Sequence, residues 1–199
     1  SFRDYMKQEY PSTFNRGIVW AGNPAHPHDR KRSIPLKHFE TIQNVEGVKL
    51  FSLQMDVRKR QYGATYRNMS SENTKVEDPC STKFQAEKDV VDYCEDCDHM
   101  KVTDLTRMIQ SFEDTATVLA GLDLVICCDT ATAHLAGAMG VPVWVLIPYN
   151  PDWRWKLDGD TTQWYDSMRL FRQTERDNWP QVMERVAGEL NEVVLQDQR

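Results

Sequence analysis

Two apolar runs without polar alternation, DLVICC at 123–128 and VPVWVLIP at 141–148, constrain the fold of this chain most. A strand with one exposed face alternates apolar and polar residues, whereas a strand covered on both faces does not. The segment between the runs, TATAHLAGAMG at 130–140, is rich in small residues and stops at Gly140, which indicates a helix. A strand, a helix and a second doubly covered strand predict a parallel sheet with helices on both faces.

The rest of the chain continues this alternation. Further strands are predicted at 17–22, 48–54, 101–106 and 168–173, and further helices at 36–43, 111–122 and 179–196. The predicted fold class is therefore α/β, a Rossmann-like parallel sheet flanked by helices. Residues 1–14 are interpreted as an N-terminal segment or linker, and 15–199 as one Rossmann-like domain.

A polar segment at about 57–100 interrupts the domain and is interpreted as an insertion of irregular structure with at most one short helix. It contains four residues with ligand chemistry suited to zinc: Cys80, Cys94, Cys97 and His99. Only one C-x-x-C pair is present and its neighbours are acidic, so free thiols are favoured over a metal site. We therefore expect no metal and no cofactor, with zinc as the minor alternative.

Charge and cysteine usage limit the cellular setting. The net charge of −6 disfavours a nucleic-acid partner, although local basic pockets are compatible with it. No apolar run approaches the roughly 18 residues that a membrane span needs, and the first residues do not form a signal peptide. Cys127 and Cys128 lie in a predicted core strand, and five cysteines is an odd number, so reduced thiols and a cytoplasmic location are expected.

Polar residues follow the strand at 123–128, at the edge where open parallel sheets bind ligands. Asp129 and Thr130 precede the predicted helix, Ala131 leaves its backbone approachable, and His134 follows one turn later. The free N–H groups of a helix N-terminus bind phosphate well, and His134 can donate to a phosphate or a sugar hydroxyl. The alternative is that Asp129 and Thr130 only cap the helix and that His134 is a core histidine.

The loops after the first two strands supply the other candidates. Arg30, Lys31 and Arg32 form a basic cluster in an acidic protein, and guanidinium groups bind diphosphates in a bidentate manner. Asn23 begins this loop, and Gln54 follows the second strand. The sequence contains no G-x-S-x-G, P-loop or G-x-G-x-x-G motif, so the signatures of hydrolases and nicotinamide enzymes are missing.

Four segments of the sequence together resemble the C-terminal half of GT-B glycosyltransferases of the heptosyltransferase type. The resemblance is to the branch of this family that is often fused to tetratricopeptide repeats. The four segments are GIVWAGNPAHPHDRKRSIPLKHF, LFSLQ, FEDTATVLAGLDLVICCDTATAHLAGAMGVPVWVLIPYNPDWRW and WYDSMRLFRQ. The resemblance covers most of 15–56 and 101–190, and DTATAHLAGAMGVPVWVL is its most specific part. Heptosyltransferases often have Gly where Ala131 and Met55 stand here.

The resemblance implies that a nucleotide-diphosphate sugar binds at Asp129, Thr130, Ala131 and His134, with Arg32 as a phosphate contact. It also implies an inverting transfer to an acceptor hydroxyl. The resemblance implies that the catalytic base comes from an N-terminal domain, and no residue before Phe14 could be that base, so we expect a missing N-terminal domain or a partner chain. The alternative is a non-catalytic interaction module on a degenerate GT-B half, with a partner surface at Trp153, Trp155 and Trp164.

Overall fold

The computed structural model of the chain describes residues 1–11, 13–23, 25–55, 90–92 and 100–197. A seven-stranded sheet has the order β3-β4-β2-β1-β5-β6-β7, in which β3 is antiparallel to its neighbour and the other pairs are parallel. The strands are β1 (Phe14–Val19), β2 (Val48–Ser52), β3 (Val90–Asp92), β4 (Lys101–Asp104), β5 (Leu124–Cys128), β6 (Val143–Ile147) and β7 (Met168–Arg172).

Helices cover both faces of the sheet. They are α1 (Phe2–Glu9), α2 (Asp29–Arg32), α3 (Glu40–Gln43), α4 (Phe112–Ala120), α5 (Ala131–Ala138) and α6 (Trp179–Asp197), with short 3-10 turns at Leu36–Phe39, Thr106–Met108 and Trp153–Trp155. One apolar core lies between the sheet and the helices α3 and α6, and a second lies under α1, α4 and α5. The predicted Rossmann-like sheet with helices on both faces is confirmed.

The central strands β5 and β6 are buried along their whole length, which is why their sequences show no alternation. The α5 helix between them ends at Ala138, and Gly140 follows two residues later with a φ of +71° that few other residues adopt without strain. Strand β1 pairs with β5 on the side away from β6, and Val19 of β1 lies opposite Cys127 of β5. Connections leave β1 and β5 toward opposite sides of the sheet, and the crevice at this switch point is where doubly wound sheets bind ligands.

Two parts of the chain differ from the sequence interpretation. Phe2–Glu9 is a helix capped by a reciprocal pair of bonds between Ser1 and Asp4, and its Phe2 and Met6 side chains are buried in the core. Within the segment 57–100 the described residues Val90–Asp92 form an edge strand that the sequence interpretation did not include, and their adjacent β-branched residues favour an extended backbone. The four residues of the zinc alternative, Cys80, Cys94, Cys97 and His99, lie outside the described residues.

Candidate functional site

The loops after β1 and β5 meet at the switch point. From α2, in the first of these loops, Arg32 extends its side chain to the second and donates from Nη1 to the carbonyl oxygen of Asp129, at 2.8 Å. Asp129 directly follows β5, and its backbone leads into α5. The structure therefore brings together two of the three loops that the sequence analysis selected.

Two neighbours fix the Arg32 guanidinium. Its Nε lies 3.4 Å from Oδ1 of the buried Asp29, one turn earlier in α2. Gly22 lies against its other side, where an added Cβ would be 2.6 Å from Nη2. Nη2 makes no hydrogen bond to the part of the chain that the structure describes, so this nitrogen remains available to an anion.

The N-terminus of α5 is open. Thr130 occupies the N-cap position in an extended conformation, but its side chain makes no capping hydrogen bond. Its Oγ1 atom is buried and has no hydrogen-bond partner among the described residues. Among the first N–H groups of α5, that of Ala133 donates to the Thr130 carbonyl oxygen at 3.1 Å, but no side-chain capping bond from Thr130 is present.

His134 is half-buried on α5, and both of its ring nitrogens face a polar group. Nδ1 lies 3.1 Å from the hydroxyl oxygen of Tyr165, and Nε2 lies 4.0 Å from Oδ1 of Asp129. The ring stacks on Trp155, with centroids 5.3 Å apart and an interplanar angle of 20°. Burial lowers the pKa of His134, and the Asp129 carboxylate opposes that effect only in part, so the imidazole is neutral at pH 7.

The loop after β6 forms one wall of the site, and Arg172 of β7 holds its backbone. The Arg172 guanidinium donates to four carbonyl oxygens of this loop, those of Trp155, Lys156, Asp158 and Gly159. Trp155 is buried against His134, whereas Trp153 is 73% exposed and Trp164 is 46% exposed. The indole N–H of Trp164 donates to the Arg154 carbonyl oxygen, at 3.1 Å, which fixes its ring beside Trp153.

The remaining predicted site residues have different surroundings. Gln54 is buried, and its Oε1 accepts from the backbone N–H groups of Trp20 and Ala21, so it ties the end of β2 to the end of β1. Asn23 is exposed and accepts from Ala25 N in a local turn. Two further candidates, Arg30 and Ala131, are exposed; Ala131 is the first residue of α5, and Arg30 has no ion pair within the described ranges.

Three residues that complete the site were not selected from the sequence. Asp29 has the i,i+3 spacing to Arg32 that suits a helical ion pair, which was a usable signal once a helix was considered. Gly22 and Tyr165 gave no local signal. Tyr165 is 31 positions from His134, and only the packing of the loop against α5 brings them together.

Two features are absent from the residues that the structure describes. No cluster of three or more His, Cys, Asp or Glu side chains there could hold a metal ion. None of the helices in the same part of the chain is both long and apolar enough to cross a membrane.

A doubly wound parallel sheet with a candidate ligand site at its switch point defines a Rossmann-like α/β protein. Within that class, the model of glycosyltransferase family 9 (heptosyltransferase) matches residues 58–184. The chain belongs to this family, as the sequence resemblance predicted. The matched range includes the segment 57–100 that the sequence analysis interprets as an insertion, and it begins after β2.

Three further proteins are similar to this chain. Protein FlbA of Caulobacter vibrioides is 36% identical over 80 residues, which are 40% of this chain and 13% of that protein. The E. coli ADP-heptose lps heptosyltransferase II superposes with a TM-score of 0.59 at 14% identity, over 100% of this chain and 52% of that one. E. coli heptosyltransferase WaaC with ADP-2-deoxy-2-fluoro heptose has a TM-score of 0.48 at 14% identity, with 98% and 48% covered. The chain thus spans about half the length of the heptosyltransferase that shares its fold.

Proposed function

We propose that this domain binds a nucleotide-diphosphate sugar and supports transfer of the sugar to an acceptor hydroxyl. The observation that carries the proposal is the position of Arg32 against the uncapped N-terminus of α5. Membership of glycosyltransferase family 9 supports it. The E. coli protein that shares the fold is an ADP-heptose heptosyltransferase, and a donor of that chemical class is what we propose for this chain.

The diphosphate occupies the N-terminus of α5. There the free N–H groups and the positive end of the helix dipole face the anion, and the buried Thr130 hydroxyl gains a partner. Arg32 adds a charge-assisted bond through Nη2. As the bond to the anomeric carbon breaks, negative charge grows on the departing diphosphate, and these same donors stabilise it.

A hydroxyl of the donor, rather than a phosphate oxygen, contacts Asp129 and His134. The gap of 4.0 Å between His134 Nε2 and Asp129 Oδ1 is too long for a direct hydrogen bond. A hydroxyl can accept from one side and donate to the other, whereas a phosphate oxygen would face the carboxylate with like charge. A ribose or sugar hydroxyl therefore suits this gap.

The catalytic base lies outside this chain, in an N-terminal domain or a partner chain. Transfer with inversion needs a base that takes the proton of the attacking hydroxyl, and in the site proposed here the Asp129 carboxylate contacts a hydroxyl of the donor rather than of the acceptor. The 52% coverage of the E. coli heptosyltransferase II supports a companion half of similar size. The domain alone binds the donor without turning it over.

Nucleotide binding tests this proposal. Melting temperatures are measured with ADP, UDP and GDP and with their sugar conjugates; a ligand at 100 times its Kd adds about 2.7 kcal/mol, or roughly 5–10 °C for a domain of this size. Arg32→Ala combined with Thr130→Ala removes the shift, and the exposed Arg30→Ala keeps most of it. The proposal fails if no nucleoside diphosphate or nucleotide sugar changes the melting temperature.

A further inference from the structure

The surroundings of His134 define which of its nitrogens carries the proton. Tyr165 faces Nδ1 at 3.1 Å and Asp129 faces Nε2 at 4.0 Å, while Trp155 stacks on the ring. Gly137, one turn after His134 on α5, makes room for the phenol, since an added Cβ would be 2.6 Å from Tyr165 Cγ. The ring therefore cannot turn without losing several contacts.

Two neutral tautomers are available to an imidazole in this position. In one, the Tyr165 hydroxyl donates to Nδ1, and the N–H of Nε2 points toward the Asp129 carboxylate. In the other, Nδ1 donates to the phenol oxygen, and the lone pair of Nε2 faces the negative carboxylate. The first arrangement is attractive and the second is repulsive at Asp129, so the carboxylate favours a proton on Nε2. The Tyr165 hydroxyl, which can donate or accept, then donates to Nδ1 and holds the ring in that arrangement.

The charged form is disfavoured by the same packing. Four ionisable groups face or approach the ring, Asp129, Tyr165, Arg154 and Asp152. Desolvation is the largest influence and lowers the pKa of His134, while Asp129 raises it, Arg154 lowers it and Asp152 raises it. The net shift is downward, so His134 is uncharged at the pH of the cell.

We propose that Tyr165 is a positioning residue that, together with Asp129, holds His134 as the neutral Nε2–H tautomer, so that His134 serves the ligand as an uncharged hydrogen-bond donor. The tautomer itself is a property of the free protein. The ligand half of the proposal rests on the donor-binding function proposed above.

Nitrogen NMR of the 199-residue chain, labelled at histidine, reads the tautomer without any ligand, because protonated and unprotonated ring nitrogens have well separated 15N shifts. At pH 7.5 we expect the His134 signals of an Nε2–H imidazole, and in Tyr165→Phe a mixture of both tautomers. An Nδ1–H imidazole or an imidazolium in the wild-type protein would overturn the assignment. The wild-type spectrum decides this even if the variant does not fold.

Titration with ADP or UDP, whichever binds, then tests whether His134 serves the ligand as an uncharged hydrogen-bond donor. In the wild type Kd stays constant within about twofold from pH 6.5 to 8.5, because no charge on His134 is needed. Tyr165→Phe weakens binding about fivefold, the usual effect of one hydrogen bond, whereas the exposed Tyr149→Phe does not.

The outcomes separate the two proposals. A Tyr165→Phe variant that melts earlier but binds with unchanged Kd shows that Tyr165 is only structural and overturns the positioning role. If neither nucleotide binds the folded wild type, the donor-binding function fails while the tautomer is still read from the spectrum.

Discussion

Arg32 Nη1 donates to the Asp129 carbonyl oxygen across 2.8 Å, although 97 positions separate the two residues in the sequence. The bond joins the loop after β1 to the loop after β5, the two loops that diverge at the switch point of the sheet. The bond fixes the basic side chain beside the N-terminus of α5. Such preorganisation lowers the cost of ordering on binding.

The first prediction concerns Gly22, which leaves room for the Arg32 guanidinium. In Gly22→Ala the new methyl group would lie 2.6 Å from Nη2 and 2.8 Å from Asp29 Oδ1. Both atoms end flexible side chains, so the protein folds and its melting temperature changes little. Arg32 is displaced, however, and nucleotide binding falls about tenfold, the usual loss for one charge-assisted hydrogen bond. Calorimetric titration measures it.

Gly188→Ala is the matched control for this substitution. Gly188 lies in α6, and an added Cβ there meets nothing within 4 Å. Alanine in a helix interior is favoured over glycine by about 0.5–1 kcal/mol, so this variant melts slightly higher and binds normally. Equal nucleotide affinity in Gly22→Ala and the wild type would contradict the role given to Arg32.

The second prediction separates stability from binding at Thr130. Its Oγ1 is buried without a partner among the described residues, and its side chain does not cap α5. Thr130→Val removes the unsatisfied hydroxyl at nearly constant shape, so the free protein gains about 1 kcal/mol and melts about 2–4 °C higher. The same variant loses most of the nucleotide-induced shift in melting temperature.

Thr130→Ser keeps the hydroxyl and tests whether that group is responsible. We expect it to bind nucleotide nearly as well as the wild type. A Thr130→Val protein that is less stable than the wild type would show that the hydroxyl has a partner in the free protein.

The sequence predicted the sheet and the wall of the site formed by α5 because those signals are local. A strand buried on both faces, as in β5 and β6, must be apolar at every position, and a run of five such residues is visible without a structure. The position of Asp129, Thr130 and His134 then followed from the rule that parallel sheets bind ligands at their carboxyl edge. The family resemblance, confirmed by the family match, gave the same region.

The parts that could not be predicted depend on contacts between distant positions. Nothing near Tyr165 in the sequence indicates that it faces His134, and nothing near Gly22 indicates a guanidinium beside it. Gln54, in contrast, did have a local signal in the sequence. Its position after β2 suggested a ligand contact, yet its amide oxygen accepts two backbone N–H groups. A polar side chain at a strand end can contact a ligand or satisfy neighbouring backbone groups, and only its hydrogen-bond partners show which of the two it does.

The third prediction follows from this use of Gln54. Gln54→Leu leaves the N–H groups of Trp20 and Ala21 buried without an acceptor, which costs about 2–4 kcal/mol for the pair. Urea unfolding should show this as a lower midpoint with an unchanged slope. Asn23→Ala is the control, because it removes one acceptor from an exposed turn and should cost less than about 1 kcal/mol. A loss in Gln54→Leu no larger than in this control would show that the two bonds contribute little.

The last prediction concerns the pH dependence of stability. Burial lowers the pKa of His134 below its ordinary value of 6.5. It also lowers the pKa of His38, where the Lys37 charge adds to the effect. Between the folded and unfolded pKa values the unfolded chain binds more protons, so the free energy of unfolding falls as the pH falls. The contribution of each histidine is complete above about pH 6.5, the unfolded value, and is lost as the pH drops through the folded one.

Urea unfolding at pH values from 7.5 to 5 measures this dependence. His134→Asn removes one of the two contributions, so its free energy of unfolding changes less over this range than that of the wild type. His38→Asn removes the contribution of the other histidine and is measured in the same way. The carboxylates that titrate in the same range are common to all three proteins and cancel in the comparison. If His134→Asn and the wild type lose the same stability between pH 7.5 and 5, His134 is not held neutral by its burial against Trp155, and the uncharged donor role assigned to it fails with that result.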